Sequence, residues 1–564
     1  MRIMWTSKTS RRGWFSSIWT IFLCLLAVLT TATLVTFAAS STPTILDSSE
    51  YIHLHTHPFS SDDTSKKFNR TVLAYITPWN SKGLSMTDDY AAKIDMISPV
   101  WYTILVSSSS TGEEQQATYM LSGGPPGKAE EQWLERKLQQ DSGVKIVPRF
   151  YLDNWTQKDY ADLLSNPTNW QNLAEVITDE VVKRQYDGIV FESAATHLLF
   201  EPIQTLSSSL VKTSASDTRR KTLTVVLPPL RTKYSLGGQK LDRVQESQNR
   251  MIVQSIPQLA QVVDYFSIMT YDMSSAGGRV SGISGKDFPK DSPLRGAKRG
   301  SLRQPGPNTS AKWVEENLGL IEEASRKAAR ARLVKTKKEF EKERESQELE
   351  VDGEMEKLKD PSNPFLYDDF SATDDELNDD EEAEKLEVEE EKEEEDELAL
   401  IRGKLLMGMP MYGYRYPIFW IDKSSGQGVP VPCPSDPFEA RELLSRSRPS
   451  SDTAVLPFLR GPGEALTMTS IIDILTDNDG VIVDPNQDHG EGWFDYTETV
   501  TKQTLKHQES YGVKERDQIY WRLYLPLPTT TRSRLAAVEE SEDLQAGVSL
   551  WELGQASPVL LRDL

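Results

Sequence analysis

The sequence predicts an α/β chain: a (β/α)8 TIM barrel with an N-terminal transmembrane helix and a long acidic, disordered insertion between strands six and seven. Three observations predict it. Eight short apolar runs alternate with helical stretches, an uncharged segment follows a basic N-terminus, and the acidic residues are concentrated in one window. Strands buried on both faces read as continuous apolar runs, and eight of them alternating with helices close into a barrel. An open doubly wound sheet is the rival, but no Gly-rich phosphate loop follows the first run.

Residues 1–13 carry Arg2, Lys8, Arg11 and Arg12, and residues 14–39 contain no charge. Roughly 20 apolar residues span a bilayer, more than the apolar core of a signal peptide needs. The basic flank places the N-terminus in the cytosol. The expectation is a single-pass type II anchor in the secretory pathway, with a cleaved signal ending near Ala39 as the alternative. Sequons at Asn69, Asn154 and Asn308 fit a lumenal or extracellular body. Of the two cysteines, Cys24 lies in the apolar segment, so Cys433 has no partner in its own domain and disulfides do not hold the fold.

Residues 40–70, rich in Ser, Thr and Asp, read as a stalk. Within it His53, His55 and His57 alternate and on a strand would share one face. No carboxylate or Cys completes a metal pattern, so no metal or cofactor is expected. Residues 71–329 and 401–564 hold the barrel. Its strands are VLAYI (72–76), MISPVWYTIL (96–105), VKIVPRF (144–150), GIVFE (188–192), LTVVLPP (223–229), YFSIMTY (265–271), LLMGMPMYG (405–413) and GVSLWE (547–552). Helices are predicted between them, among them 129–140, 169–184 and 311–329.

The formal charge of −22 is local. Residues 341–400 hold 28 acidic and 6 basic residues, which accounts for all of it. Residues 330–400 therefore read as a disordered or partly single-helical insertion, too poor in apolar groups to offset its ordering entropy. The remainder is neutral and offers no basic face for nucleic acid.

Barrel chemistry sits where strands end at the C-terminal face. There the chain places Tyr75, Trp79, Trp101, Arg149, Tyr151, Glu192, Met269, Tyr271, Asp272, Tyr412, Trp551 and Glu552. Aromatic planes stack on the C–H faces of sugar rings, and carboxylates accept sugar hydroxyls. The set predicts a cleft for an oligosaccharide.

YDGIVFE, IMTYDMS, KLLMGMPMYGY and GVSLWELGQ resemble the family-18 glycoside hydrolases, the chitinase barrel, over about residues 71–325 and 401–560. VLAYITPWN, ISPVWYTI and GVSLWELGQ narrow the resemblance to a chitinase-like branch. The family's fourth-strand pattern Asp-Gly-x-Asp-x-Asp-x-Glu starts at Asp187 and Gly188. Its two later aspartates fall on Val190 and Glu192, and its catalytic glutamate falls on Ala194. The resemblance implies that this glutamate protonates the glycosidic oxygen while the substrate's N-acetyl group attacks. It also implies that Tyr271 and Asp272 contact the acetamide and that Trp551 floors the central sugar. Glu192 lies about 6.6 Å short of the acid position along a strand, whereas an acid must come within about 3 Å of its target. The expectation is a lectin-like binder of chitin-type oligosaccharides with no catalytic residue. Two alternatives are a glycosidase using Glu192 with Asp272 or Glu552, and a scaffold whose acidic loop binds Ca²⁺ or basic partners.

Overall fold

The computed structural model describes residues 44–57, 65–107, 118–140, 143–214, 220–230, 241–358, 394–430, 433–447, 454–484, 490–508, 511–540 and 547–564, apart from isolated positions between 276 and 299. The segment 14–39 lies outside them, as do Cys24 and most of the acidic window. Among the described residues no helix is long and apolar enough to cross a membrane.

Eight parallel strands form a ring. In chain order they are Val72–Ile76, Met96–Pro99 resuming at Tyr102–Ser107, Lys145–Ile146 resuming at Arg149–Leu152, Gly188–Ser193, Thr222–Leu227, Tyr265–Ile268, Leu405–Pro410 and Gly547–Trp551. Each pairs with the next, and the eighth returns to the first through Val72 opposite Val548. Strands two and three break beside Pro99 and Pro148, which have no N–H to donate to a ladder.

The two-residue period sorts these strands into two cores. Leu73, Tyr75, Met96, Val147, Val190, Val226 and Leu406 meet inside the ring. Their neighbours, such as Ile97, Phe150, Ile189, Phe191, Val225 and Phe266, face the surrounding helices. Helix starts are locally encoded. Asn166 caps the helix Pro167–Arg184 with Pro at its start, and Thr156 with Asp159 forms a capping box for Gln157–Ser165.

Residues 401–564 are more than the remainder of a barrel. Between strands seven and eight the chain builds a second, antiparallel sheet around Tyr412–Asp422, Gly492–Thr499 and Gln518–Leu525. The predicted seventh strand therefore ends at Pro410, and Tyr412 starts a strand of the inserted sheet.

The span read as a stalk contributes to that sheet too. Thr44–Asp47 pairs antiparallel with Val481–Asp484, and the helix Ser48–Thr56 docks with Tyr51 fully buried, its hydroxyl donating to the Pro526 carbonyl at 2.8 Å. His53 and His55 therefore lie on a helix, and His57 follows its last turn. His55 is buried and shares a hydrogen bond with the Ser557 hydroxyl, while the His53 and His57 rings meet at a tilt on the surface.

The helix predicted over 311–329 continues as Ala311–Leu358, well into the span expected to be disordered or partly single-helical. Returning residues lie back along it: Arg330 donates to Glu394 at 2.8 Å and Arg402 to Glu322 at 2.6 Å. Ile321, Ala329, Leu398 and Ile401 are buried. Residues 359–391 lie outside the described residues.

Candidate functional site

The fourth strand carries the centre of the site. Asp187, which opens it, accepts from the Ile146 N–H at 2.8 Å and so ties the strand to its neighbour. Gly188 has φ +155°, and a Cβ there would lie 2.2 Å from the Thr222 carbonyl oxygen. Only glycine fits that approach. Val190 then fills the barrel interior, and Glu192 follows on the same side at the mouth.

Glu192 is engaged. Arg149, from strand three, donates to its Oε2 at 2.9 Å, and the two side chains are 15% and 18% exposed. The Arg149 guanidinium also lies 4.9 Å from the centre of the Tyr151 ring, a cation–π contact. Burial pushes the Glu192 carboxyl above its ordinary value, while the Arg149 charge and hydrogen bond pull it down; the net direction is up. Ala194 lies exposed in the turn beyond the strand.

Trp551 joins the barrel to the inserted sheet, packing against the apolar clusters of both. The Tyr271 ring stacks on it at 6.2 Å and the Tyr75 ring meets it edge-on at 5.2 Å. The Tyr75 hydroxyl donates to Ser267, which donates in turn to Ser549, so three strands share one interior hydrogen-bond chain. Burial raises the hydroxyl pKa of Tyr75 and Tyr271, with the Glu192 charge adding to both. Both hydroxyls stay neutral. Met269 completes the lining, packed on the interior cluster.

Asp272 is held from two sides. Tyr412 and Tyr414, alternate residues of the inserted sheet, both donate to its Oδ1, the second at 3.1 Å. Its own N–H donates to Asn308 Oδ1 at 2.7 Å. The side chains that meet are thus Tyr75, Arg149, Tyr151, Glu192, Met269, Tyr271 and Trp551, with Asp272 and Tyr412 following directly on Tyr271 and the inserted strand.

Three expected residues do not join them. Trp101 is one position out of phase with the interior residue Val100, so it points outward and packs edge-on against Trp133 at 6.0 Å. Trp79 is 68% exposed. Glu552 is buried and accepts from Asn80 and from the Gly554 N–H, both at 2.9 Å. That locks the TPWN and WELGQ stretches together.

The sequons divide as well. Asn69 and Asn154 are exposed, whereas Asn308 is fully buried and cannot carry a glycan in the folded chain. Sequence reasoning missed Tyr414, which the alternation in YGYRY could have offered, and Glu491, for which nothing in the sequence signals a role. Among the described residues no cluster of metal-ligating side chains occurs.

Several solved structures match the chain at low identity. A chitinase from Chromobacterium violaceum is 12% identical, over 88% of this chain and 97% of that one, with a TM-score of 0.45. A spore cortex-lytic enzyme of Bacillus cereus is 11% identical, over 88% and 74%, at 0.44. A mutant chitinase from Cycas revoluta, in complex with (GlcNAc)4, is 9% identical, over 87% and 97%, at 0.43. Residues 71–320, which contain the first six barrel strands, Glu192 and Asp272, match the family model of the glycosyl hydrolases family 18.

Proposed function

We propose that the cleft at the strand mouths binds chitin-type oligosaccharides without cleaving them. The observation that carries this reading is the fourth strand: its one carboxylate in the cleft, Glu192, is held by Arg149 at 2.9 Å, and Ala194 stands where the family pattern has its acid. Trp551, backed by Tyr75 and Tyr271, supplies an apolar plane for a sugar face, and Asp272 supplies an acceptor. The stretches VLAYITPWN, ISPVWYTI and GVSLWELGQ favour, within the family, the branch of stabilin-interacting chitinase-like proteins. One observation favours a second reading: burial raises Glu192, and a raised carboxyl is what a general acid needs.

Calorimetric titration of the full-length protein with chitooligosaccharides, beside an assay of their hydrolysis, separates the two. Binding without turnover is expected. Trp551→Ala should weaken binding by roughly 1–3 kcal/mol, and Glu192→Gln only modestly, because the amide keeps an acceptor. Turnover by the wild type that disappears in Glu192→Gln would overturn the binding-only reading in favour of the second.

We also propose that residues 14–39 anchor the chain as a type II protein with the barrel lumenal or extracellular. Retention in membranes through alkaline carbonate extraction is expected; release of a chain starting near residue 40 would indicate a cleaved signal instead.

A further inference from the structure

Asp272 has φ +60°, a left-handed backbone that a non-glycine residue holds only where its surroundings impose it. What imposes it is Asn308. The Asp272 N–H donates to Asn308 Oδ1 at 2.7 Å, and the Met273 N–H donates to the Asn308 carbonyl at 2.8 Å. Asn308 Nδ2 donates to the Tyr412 carbonyl at 3.3 Å, so one side chain grips both Asp272 and the strand that presents its tyrosine partners. Thr309 adds a further tie, its hydroxyl donating to the Thr270 carbonyl at 2.8 Å.

Asn308 is held in turn by Glu491, which precedes the inserted strand Gly492–Thr499 and accepts the Asn308 N–H at 2.6 Å. Glu491 is fully buried, and among the described residues its Oε1 has no hydrogen-bond partner; Arg534 attracts it, yet the Arg534 Nε and Nη2 also lie buried without one. Burying an incompletely paired carboxylate costs stability, and an apolar residue would fill the same space more cheaply. The feature Glu491 supplies is an acceptor aimed at Asn308.

We propose that Asn308 and Glu491 are positioning residues for Asp272: Asn308 fixes the left-handed turn that sets the carboxylate against Tyr412 and Tyr414, and Glu491 carries that constraint across from the inserted sheet. The proposal rests on the reading of the cleft as a sugar site, and it assigns the inserted sheet a part in recognition. Asp272, so held, keeps Oδ1 on the two tyrosines and turns the rest of its carboxylate to the ligand.

The test uses the full-length protein and two readouts. The first needs no sugar: hydrogen exchange across residues 268–275, resolved to the Asp272 amide, should be slow in the wild type. It should accelerate in Asn308→Ala and Glu491→Leu but stay slow in Glu491→Gln, which keeps an oxygen facing Asn308. The second is a double-mutant cycle on chitooligosaccharide binding. Asp272→Asn and Asn308→Ala should each weaken binding by about tenfold, the scale of one lost hydrogen bond to a charged group, and the double variant should be no weaker than Asp272→Asn alone. A purely structural Asn308 would give additive losses, and that outcome overturns the relay, as does a rapidly exchanging Asp272 amide in the wild type. If Asn308→Ala does not fold, the contrast between Glu491→Gln and Glu491→Leu decides. Wild-type protein that binds no sugar, or Asp272→Asn that binds normally, sinks the cleft reading, while amide exchange still decides the relay.

Discussion

His55 and Glu491 give the fold opposite pH dependences. Burial drops the His55 imidazole to about 3 from 6.5, and its Nε2 is buried without a partner to receive a proton's charge. A depressed histidine contributes stability that is present above pH 6.5 and lost as pH falls toward 3, on the order of a few kcal/mol when complete. Burial pushes Glu491 the other way, from 4.5 to about 7, so its contribution is present below pH 4.5 and lost as pH rises through 7. Chemical denaturation across pH should therefore show His55→Asn losing part of the acid-side decline, and Glu491→Gln losing part of the decline between 4.5 and 7. Unchanged slopes would contradict the burial of either group. The sequons give a third residue-scale expectation: enzymatic deglycosylation of protein made in a secretory host should remove glycans at Asn69 and Asn154 and none at Asn308, as peptide mapping would show. Much of the site was legible at this scale. Tyr75, Glu192, Tyr271 and Trp551 come from strand ends, where a period of two decides which side chain turns inward. Trp101 failed on that same period, because Pro99 interrupts the strand and hides the phase. Asn308 and Glu491 act through main-chain groups of distant segments, a role without a local pattern.

At the scale of elements, the barrel strands could be read because each is a short apolar run isolated by helices. The inserted sheet was missed because its strands, such as Gln518–Leu525, mix Arg, Tyr and Trp with aliphatics and so give no continuous apolar run. Its interior explains the mixture. Arg522 makes a bidentate pair with Asp495 at 2.8 and 2.7 Å and lies 3.9 Å from the Trp493 ring centre and 5.2 Å from that of Trp420. Asp495 is completely enclosed, and burial raises its carboxyl while Arg522 opposes the rise. Removing one partner strands a charge; removing both need not. Arg522→Met should cost about 3–5 kcal/mol, and Arg522→Met with Asp495→Leu should recover most of it. Equal losses in the single and double variants, measured by denaturant unfolding, would mean that packing against Trp420 and Trp493 matters more than the pair. The Thr44–Asp47 strand and its helix went unrecognised for a related reason: four residues of edge strand carry too little pattern to separate them from a polar stalk.

For the molecule as a whole, the question is what the acidic excursion between strands six and seven contributes. The excursion leaves along the helix Ala311–Leu358 and returns by residue 394, where Glu394 and Glu397 meet Arg330 and Arg332. Those pairs are largely exposed on the arginine side, and exposed pairs are each worth about 0–1 kcal/mol. The anchoring of the arm comes instead from Ile321, Ala329, Leu398 and Ile401, all buried at its base. Composition points the same way, since residues 341–400 are dominated by 28 acidic side chains that repel one another and bring little apolar surface. The boundary of what the fold needs therefore falls on either side of the tract and not at its edges in the sequence. Replacing residues 341–390 by a short Gly/Ser linker should leave the thermal midpoint within a few degrees, because long surface loops cost little to close and less still to shorten. Extending the deletion through residue 401 removes Leu398 and Ile401 from the base and should cost about 2–5 kcal/mol for each large apolar side chain lost. Calorimetry of the two deletions side by side decides it. A large drop in the shorter deletion would mean that the tract packs against the barrel, and equal midpoints in both would mean that the buried base adds nothing.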